Sequence, residues 1–392
     1  MVPSSASTGP PGRVLVTDGE FKHTLGIVRQ LARRGHEVHL LASSSAAPAV
    51  HSRAVRRWHR SPAPGAPDYD ARLLEVARSL APVSLLPVGN GAVAAADRLR
   101  GRFPSEVRVA LPSCESLAVA NDKERTAELA RRLGLRTPRE RRIASLEEAQ
   151  AAWRELGAPL VLKSAREEGV KTVRYARAEA GVPAAFEAAR TASGGAVLAQ
   201  EYIAGEGYGF SALYWNGVLQ RSLMHRRVRE WPPSGGTSAC AESVPDAPAL
   251  AQAGAALLDA LRWHGVAMVE FKGALAPGAL ALIEINAKFW GSHDVALAAG
   301  VDFPGDLVAL LEGRTLAPAQ APPKAVRFAW PFGGDLWHGL FRPASLPAVL
   351  RDALSPAVGH SWRLDDLSPL VFEIAQWARS APGAWREQRM TR

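Results

Sequence analysis

The sequence predicts an α/β domain at the N-terminus followed by an α+β region, and three observations carry this prediction. Apolar runs alternate with helical segments over residues 13–115, a pattern typical of a parallel sheet covered on both faces. Residues 266–273 and 280–286 are apolar at nearly every position, as in strands buried on both sides. Asn216-Gly217, between two further apolar runs, indicates a β-hairpin.

Length and composition agree with a globular protein of two or three domains. The chain has 392 residues, of which 47% are hydrophobic and 22% charged. The two cysteines, Cys114 and Cys240, cannot form a disulfide framework, which fits a cytoplasmic protein. Residues 1–12 have neither the basic nor the apolar section of a signal peptide and predict a disordered tail. No apolar run is long enough for a membrane span.

The net charge of +9 raises the question of a nucleic-acid partner. Residues 116–320, however, hold 23 basic and 23 acidic residues, so the excess lies in the flanks. We therefore expect no nucleic-acid binding. Lysine is scarce, with seven in the chain against 40 arginines, which makes the position of each lysine informative.

The first domain has a Rossmann-like order of elements. We expect strands at 13–17, 37–42, 83–88 and 107–111, and a helix over 24–34 that ends at Gly35. The turn after the first strand, residues 18–23, lacks the G-x-G-x-x-G sequence. The fingerprint of dinucleotide binding is therefore absent.

The middle of the chain predicts both helices and strands. Asn121 or Asp122 can cap a helix over 123–133, and Ser145 with Glu148 forms a capping box for a helix to residue 156. Strands are expected at 160–164, 170–176, 196–202, 208–215 and 218–225, and a helix at 247–263. The last 70 residues predict irregular and helical packing.

The last two apolar strands carry a pair of carboxylates. In a hairpin centred on Pro277, Glu270 and Glu284 face each other, and Asn286 shares their side of the sheet. Two adjacent, half-buried carboxylates repel each other unless a cation lies between them. An all-oxygen set of ligands suits Mg²⁺ or Mn²⁺. Two alternatives stay open: a strand face in solvent, or pairing of the carboxylates with Lys272 and Lys288.

Two lysines stand at the ends of predicted elements. Lys163 lies near the end of an apolar strand, and Lys123 begins a helix. A lysine in such a place suits a point-charge contact with phosphate. Each of them is also compatible with an ordinary surface position.

Taken in order, five segments resemble the ATP-grasp superfamily. They are Asn121-Asp122-Lys123, LVLKS at 160–164, QEYIAG at 200–205, VEFK at 269–272 and IEINAKFWG at 283–291. The last is the most specific, and it is similar to a metal-site motif of relatives of the carbamoyl-phosphate synthase large chain. The resemblance spans about residues 115–315.

The resemblance implies a division of the chain and an activity. It implies a pre-ATP-grasp domain at 13–115 and an ATP-grasp domain at 116–315, with a small lobe at about 121–200 and a large lobe at about 201–315. Residues 316–392 would be a C-terminal extension packed on the core. The activity would be ligation of a small carboxylate to an amine through an acylphosphate, with ATP and Mg²⁺ or Mn²⁺, and a homodimer would be compatible with it. The alternatives are an ATP-binding regulatory protein without turnover, or a related enzyme with a non-amine nucleophile.

The resemblance also assigns roles to single residues. Lys123 and Lys163 match lysines that contact the phosphates of ATP. Gln200, Glu201 and Ile203 match the segment that contacts adenine. The magnesium ligands would be Glu270, Glu284 and Asn286.

Three positions depart from the family pattern. Residues 165–169 stand where many members have a glycine-rich phosphate loop. Gly207 stands where relatives often have a ribose-binding Glu, and Glu206 is the neighbouring candidate. Ala287-Lys288 replaces Pro-Arg, and Lys288 keeps the positive charge expected of a catalytic group.

Residues 225–237 are basic, aromatic and rich in glycine. We interpret them as a mobile loop that brings an arginine to the acylphosphate or to the acid, with a solvated surface loop as the alternative. Arg229 is the candidate catalytic arginine, because Glu230 and Trp231 could position it.

Overall fold

A computed structural model of the chain describes residues 12–164, 173–195, 197–233, 235–318, 323–381 and 383–384. Three sheets of five, four and seven strands organise this part of the molecule. Within these ranges, no helix combines the length and the hydrophobicity that a membrane crossing requires. The expected tail at 1–12, apart from Gly12, and the loop at 165–169 lie outside the described residues.

The N-terminal domain is built on a parallel sheet with strand order β3-β2-β1-β4-β5. Its elements are β1 (Arg13–Val16), α1 (Lys22–Arg33), β2 (Glu37–Ala42), β3 (Arg57–Arg60), α2 (Tyr69–Leu80), β4 (Val83–Leu86), α3 (Asn90–Arg98) and β5 (Val107–Arg108). The predicted strands and the first helix are present, although β4 and β5 end earlier than expected. Strand β3 was not predicted, because it is an edge strand whose arginines Arg57 and Arg60 face solvent and give no apolar pattern.

The order of the parallel strands creates a crevice. The chain passes from β1 to β2 and β3 on one side, and then returns to place β4 and β5 on the other side. Helices α1 and α3 follow β1 and β4, so they begin next to each other at the carboxyl edge of the sheet. Ligands of open α/β sheets bind at this kind of switch point.

Two helices, α4 (Cys114–Ala120) and α5 (Lys123–Arg132), connect the domains. Asp122 caps α5 as predicted, and its Oδ1 accepts hydrogen bonds from the amides of Glu124 and Arg125 at 3.0 and 3.1 Å. Leu129 of α5 packs in the hydrophobic core of the large sheet. The helix that begins at Lys123 thus packs with the large lobe, whereas the resemblance had placed it in the small one.

The small lobe is an antiparallel sheet with order β6-β9-β7-β8, covered by two helices. Its elements are β6 (Glu140–Ile143), α6 (Leu146–Leu156), β7 (Leu160–Ser164), β8 (Arg174–Ala176), α7 (Val182–Ala192) and β9 (Val197–Glu201). Ser145 caps α6 by accepting a hydrogen bond from the amide of Glu148, at 3.2 Å. The Glu148 carboxylate in turn accepts from the amide of Ala144 at 2.6 Å, so both parts of the predicted capping box form.

The large lobe contains a seven-stranded sheet with order β14-β13-β10-β11-β12-β15-β16. Its elements are β10 (Glu206–Trp215), β11 (Val218–Trp231), β12 (Thr237–Ser243), α8 (Pro248–Ala260), β13 (Gly265–Gly273), β14 (Leu280–Asn286), α9 (His293–Ala299) and α10 (Phe303–Leu311). The turn between β10 and β11 lies at Asn216-Gly217 as predicted, and both residues have positive φ. Strand β11 continues to Trp231, so most of the loop expected at 225–237 is strand.

The C-terminal residues complete this sheet. They form β15 (Arg327–Ala329), α11 (Leu336–Phe341), α12 (Leu346–Leu354), β16 (Val358–His360) and α13 (Ser368–Arg379). The expectation of irregular and helical packing missed β15 and β16, which are only three residues long. Strands this short have no readable alternation, and β15 is defined by its pairing with β12.

Buried ion pairs join the N-terminal domain to the rest of the molecule. Arg29 of α1 donates to the Asp366 carboxylate at 2.7 Å, and both side chains are less than a tenth exposed. Arg34 donates to Asp302 at 2.6 Å. The N-terminal domain and the large lobe therefore form one continuous support for the cavity between them.

Candidate active site

The carboxylate pair forms in the predicted register. Glu270 of β13 is the direct partner of Glu284 in β14, and Met268 is the partner of Asn286. A β-bulge follows Glu270, so the pairing beyond it shifts by one residue and the two glutamates stay together. The Asn286 amide nitrogen donates to one oxygen of Glu270 at 3.2 Å and to one of Glu284 at 3.1 Å.

The carboxylate face is not open to solvent, and Lys272 is not its partner. The Glu270 side chain is only 13% exposed, so this strand face is not open to solvent. Lys272 instead lies over the Tyr202 ring, 4.4 Å from its centroid. The cation that pairs with Glu270 is Arg227, with 2.5 Å between Nη2 and Oε1.

The electrostatics of the two glutamates differ. Burial raises the pKa of Glu270 to about 7, against the opposing charge of Arg227. Burial also acts on Glu284, but the positive charges of Lys123 and Lys163, together with the Asn286 hydrogen bond and the charge of Arg227, hold the pKa of Glu284 below its usual value. The two lysines come from α5 and β7, so two separate elements place positive charge near Glu284.

The segment at the end of β9 lines the cavity. Gln200 is buried, and its side-chain amide donates to the Glu140 carboxylate at 2.7 Å. The Glu201 carboxylate accepts from Arg139 at 2.6 Å, and its backbone amide donates to the Arg139 carbonyl at 2.9 Å. In an adenine-binding role Glu201 would therefore use its carbonyl oxygen. Ile203 is buried at the cavity wall.

The Glu206 carboxylate is held by two neighbours. The Tyr208 hydroxyl donates to Oε2 at 2.7 Å, and Arg226 donates to Oε1 at 2.7 Å. The hydrogen bond from Tyr208, supported by the one from Arg226, holds the pKa of Glu206 below its usual value. Glu206 stays the predicted ribose contact, and it lines the cavity.

One cavity of about 1090 Å³ brings the predicted residues together. This volume suits a nucleotide together with a second small molecule. The predicted residues on its wall are Lys123, Lys163, Gln200, Glu201, Ile203, Glu206, Arg229, Glu270, Glu284, Asn286 and Lys288.

Arg229 reaches this wall, but its guanidinium group is engaged elsewhere. It donates to the two oxygens of Asp335 at 2.6 and 2.7 Å and to Asp352 at 2.9 Å, and all three side chains are buried. The register of β11 against β12 shifts between Arg227 and Arg229, which is a β-bulge that turns the two arginines to different surroundings. The structure therefore does not bring Arg229 to the carboxylate pair.

Arg227 is the arginine that sequence reasoning missed. Besides Glu270, it contacts Glu230 at 3.0 Å and the Gly236 carbonyl at 3.2 Å. It crosses β10 over Gly207, where an added Cβ would lie 3.1 Å from Arg227 Cδ. A side chain at residue 207 would press on Arg227, so a glycine suits this position. A glycine inside a strand indicates a close approach, and this signal was available in the sequence.

The donor set fits a hard divalent cation such as Mg²⁺. Two buried carboxylates and an amide supply oxygen ligands, and Asn286 would have to turn its Oδ1 toward the ion in place of the amide nitrogen. No cluster of three His, Cys, Asp or Glu side chains suited to a metal occurs in the part of the chain that the structure describes. An ion here would therefore complete its coordination with water or phosphate oxygens.

Comparisons with known proteins complete the description of the site. No family model matches the chain. A D-alanine–D-alanine ligase of Ectopseudomonas mendocina is 38% identical over 97 residues, which is 24% of this chain and 30% of that enzyme. The match therefore spans less than a third of its curated relative.

Solved structures match over a much larger share of the chain. A biotin carboxylase–ATP complex of Campylobacter jejuni has a TM-score of 0.65 at 17% identity, with 80% of this chain and 74% of that one covered. An N5-carboxyaminoimidazole ribonucleotide synthetase of Thermus thermophilus has a TM-score of 0.61 at 21% identity, with 80% and 82% covered. An N5-carboxyaminoimidazole synthetase of Staphylococcus aureus with ADP has a TM-score of 0.63 at 13% identity, with 81% of each chain covered. At these identities the likeness concerns the fold, and it confirms the fold class that the sequence predicts.

Proposed function

We propose that this chain, which has the ATP-grasp fold, is an ATP-dependent ligase that joins a carboxylate to an amine and releases ADP and phosphate. The observation that carries the proposal is the facing pair Glu270–Glu284 on the wall of a large cavity, with Lys123 and Lys163 close enough to lower the pKa of Glu284. This arrangement combines a cation site with phosphate-binding charges. Phosphoryl transfer requires mainly positioning and charge neutralisation, which these residues supply.

Each group has a place in the proposed reaction. The adenine would lie against the segment from Gln200 to Ile203, and the phosphates would extend toward Lys163 and Lys123. Glu270, Glu284 and Asn286 would hold Mg²⁺ or Mn²⁺, which neutralises phosphate charge when bound.

The chemistry has two steps. An oxygen of the substrate carboxylate attacks the γ-phosphorus, and the bond to the β-phosphate oxygen breaks to give an acylphosphate and ADP. The amine then attacks the carbonyl carbon, loses a proton and expels phosphate. Arg227 and Lys288 are the cations on the side of the carboxylate pair where the acid would lie, so Arg227 takes the role that was predicted for Arg229.

The state of the cysteines suits a cytoplasmic enzyme. Cys114 is exposed and Cys240 is buried, and both are free thiols. Free thiols persist in a reducing compartment. We therefore place the proposed reaction in the cytoplasm, with small molecules as its partners and without nucleic acid.

The test is a turnover assay with the full chain, ATP and Mg²⁺. Pools of carboxylic acids and amines are screened for ADP and phosphate, with Glu284→Gln as the inactive control. ADP release that requires both an acid and an amine supports the ligase. Release that requires an acid but no amine indicates another nucleophile. Tight ATP binding without ADP release in any pool overturns the ligase and favours a regulatory protein.

A further inference from the structure

The cavity continues beyond the carboxylate pair to the crevice of the N-terminal sheet. There it is lined by the loops that follow β1 and β4 and by the segment after β14. The lining side chains in this part include Phe21, His23, Asn90, Lys288, Trp290 and Ser292. None of the nucleotide-binding roles proposed above uses this part of the cavity, except that Lys288 stands at its border.

A fixed aromatic ring forms one wall of this part. Phe21 precedes α1, and its ring stacks on the His23 imidazole with 5.5 Å between centroids and 7° between planes. Gly89 packs closely against the ring, since a Cβ at residue 89 would lie 2.5 Å from Phe21 Cε2. Even so, the residue is 44% exposed. A large apolar ring that is held in place and yet left uncovered inside a cavity is a surface for a ligand.

Lys288 connects this ring to the reacting centre. Burial lowers the pKa of His23 well below its usual value, and the His293 ring and the charge of Lys288 lower it further. Lys288 lines the cavity together with Glu270 and with the His23 ring that stacks on Phe21. No carboxylate in the described part of the chain forms an ion pair with Lys288.

The acidic side chains of the same loops are already used. Asp18 accepts a hydrogen bond from the Gly89 amide at 2.8 Å. Glu20 accepts from the Ser43 amide and hydroxyl at 2.5 and 2.7 Å and from the Ser44 amide at 3.0 Å. In these contacts Asp18 and Glu20 bind amide and hydroxyl donors of the protein, whereas Lys288 on the cavity wall offers a cation to a carboxylate.

We propose that this part of the cavity binds the acid substrate, and that the acid carries an aromatic or similarly flat apolar ring. Its carboxylate lies toward Lys288, and its ring lies on Phe21. This inference rests on the proposed ligase function and names the substrate class of the same site. Phe21 is then a specificity-determining residue.

The test compares acids that differ only in the ring. The full chain with ATP, Mg²⁺ and the amine pool is assayed with 3-phenylpropionate, 3-cyclohexylpropionate and propionate. We expect kcat/KM to be highest for the phenyl acid, and Phe21→Ala to lower it about three- to tenfold for this acid and little for propionate. Phe21→Tyr keeps the ring and should keep the preference. Leu354→Ala, which removes an exposed apolar side chain outside the cavity, is the matched control.

A binding titration separates this inference from the function. The same acids are titrated into wild type and Phe21→Ala with a non-hydrolysable ATP analogue, and thermal unfolding confirms that the variant is folded. Binding of the phenyl acid that depends on Phe21 supports the inference even when no amine gives turnover. Three results overturn the inference: turnover or binding without a ring preference, a ring preference that survives in Phe21→Ala, or no binding of any of the three acids. The first two of these results are still compatible with the proposed ligase activity.

Discussion

The two sides of the cavity are attached to the molecule in different ways. The N-terminal sheet, the seven-stranded sheet and the C-terminal helices, together called the base, are joined by buried ion pairs. These pairs are Arg29–Asp366, Arg229–Asp335 and Arg229–Asp352, with every side chain less than a tenth exposed. Exposed ion pairs lie at the border of the small lobe, residues 140–201. Its pairs at the border are Arg142–Glu124 and Arg139–Glu201, and the arginines are 52% and 62% exposed.

This difference separates two tasks. Breaking a buried pair leaves a charge without water or partner, whereas an exposed pair is replaced by water at little cost. The base holds Glu270, Glu284 and Asn286 in a rigid frame, where small displacements would weaken a cation site. The small lobe supplies Lys163 and the cavity-lining residues at the end of β9, and its border contacts are easier to change.

The largest effect on stability is expected from removing the buried ion pairs of the base. Arg229→Ala leaves Asp335 and Asp352 buried without their cation and should lower the free energy of unfolding by about 3–5 kcal/mol. Chemical denaturation measures it, and Arg229→Lys should recover part of the loss. A loss below about 1 kcal/mol would mean that these pairs do not hold the base together.

The next effect concerns the chemistry of the base and leaves its fold intact. Glu284→Gln removes one of the proposed cation ligands and should lower ADP formation about 10²–10³-fold. Because the folded state holds the pKa of Glu284 below its usual value, the charge of Glu284 stabilises the fold at neutral pH, and its removal should lower the melting temperature moderately while the variant still folds. Mg²⁺ titration of the bound nucleotide complex gives a second readout. Wild-type turnover in this variant would contradict the metal assignment.

The small lobe is tested through its lysine. Lys163→Ala should raise the ATP concentration for half-maximal rate about 10- to 100-fold, since a charged hydrogen bond contributes about 1.5–3 kcal/mol. Lys324→Ala, outside the cavity, is the control. If ATP dependence is the same in both variants, the small lobe does not contribute this phosphate contact.

The interior of the base should respond to pH. Burial lowers the pKa of His293, which lies among the Phe289, Trp290 and Phe303 rings, to about 3. The unfolded chain titrates near pH 6.5, so between pH 6.5 and 3 only the unfolded state takes up this proton. As the pH is lowered through this range, the contribution of His293 to the free energy of unfolding therefore decreases by about 1.4 kcal/mol per pH unit. In His293→Leu the slope should be shallower by that amount, and equal slopes of unfolding free energy against pH would refute the burial argument.

The smallest effect is expected at the border of the small lobe. Arg142→Ala removes the exposed pair with Glu124 and should change the free energy of unfolding by no more than about 0.5 kcal/mol. The comparison with Arg229→Ala uses the same denaturation experiment. A loss above about 1 kcal/mol would show that the exposed pairs of the small lobe contribute to stability as the buried pairs of the base do.

Much of the fold could be predicted because its causes are local. Asp122 and Ser145 cap the helices that follow them, and Asn216-Gly217 turns the hairpin, all through contacts within a few residues. The three-residue strands near the C-terminus could not be predicted, because their partners are distant in the chain.

By itself the sequence determined that Glu270 and Glu284 lie on the two strands of one hairpin, because two apolar runs flank the turn about Pro277. Their direct facing also depends on a β-bulge after Glu270, since next to the turn the strands pair one residue out of the predicted register, with Phe271 opposite Leu282. Only the tertiary structure decided which of Arg227 and Arg229 contacts the carboxylate pair. The two arginines look alike in the sequence, but a bulge lies between them. One crosses Gly207 to the carboxylate pair, and the other is bound by aspartates more than 100 residues away. Turn chemistry and periodicity act over a few residues and can be read directly. The partner of a buried charge depends on which distant segments pack together, and no short pattern encodes that.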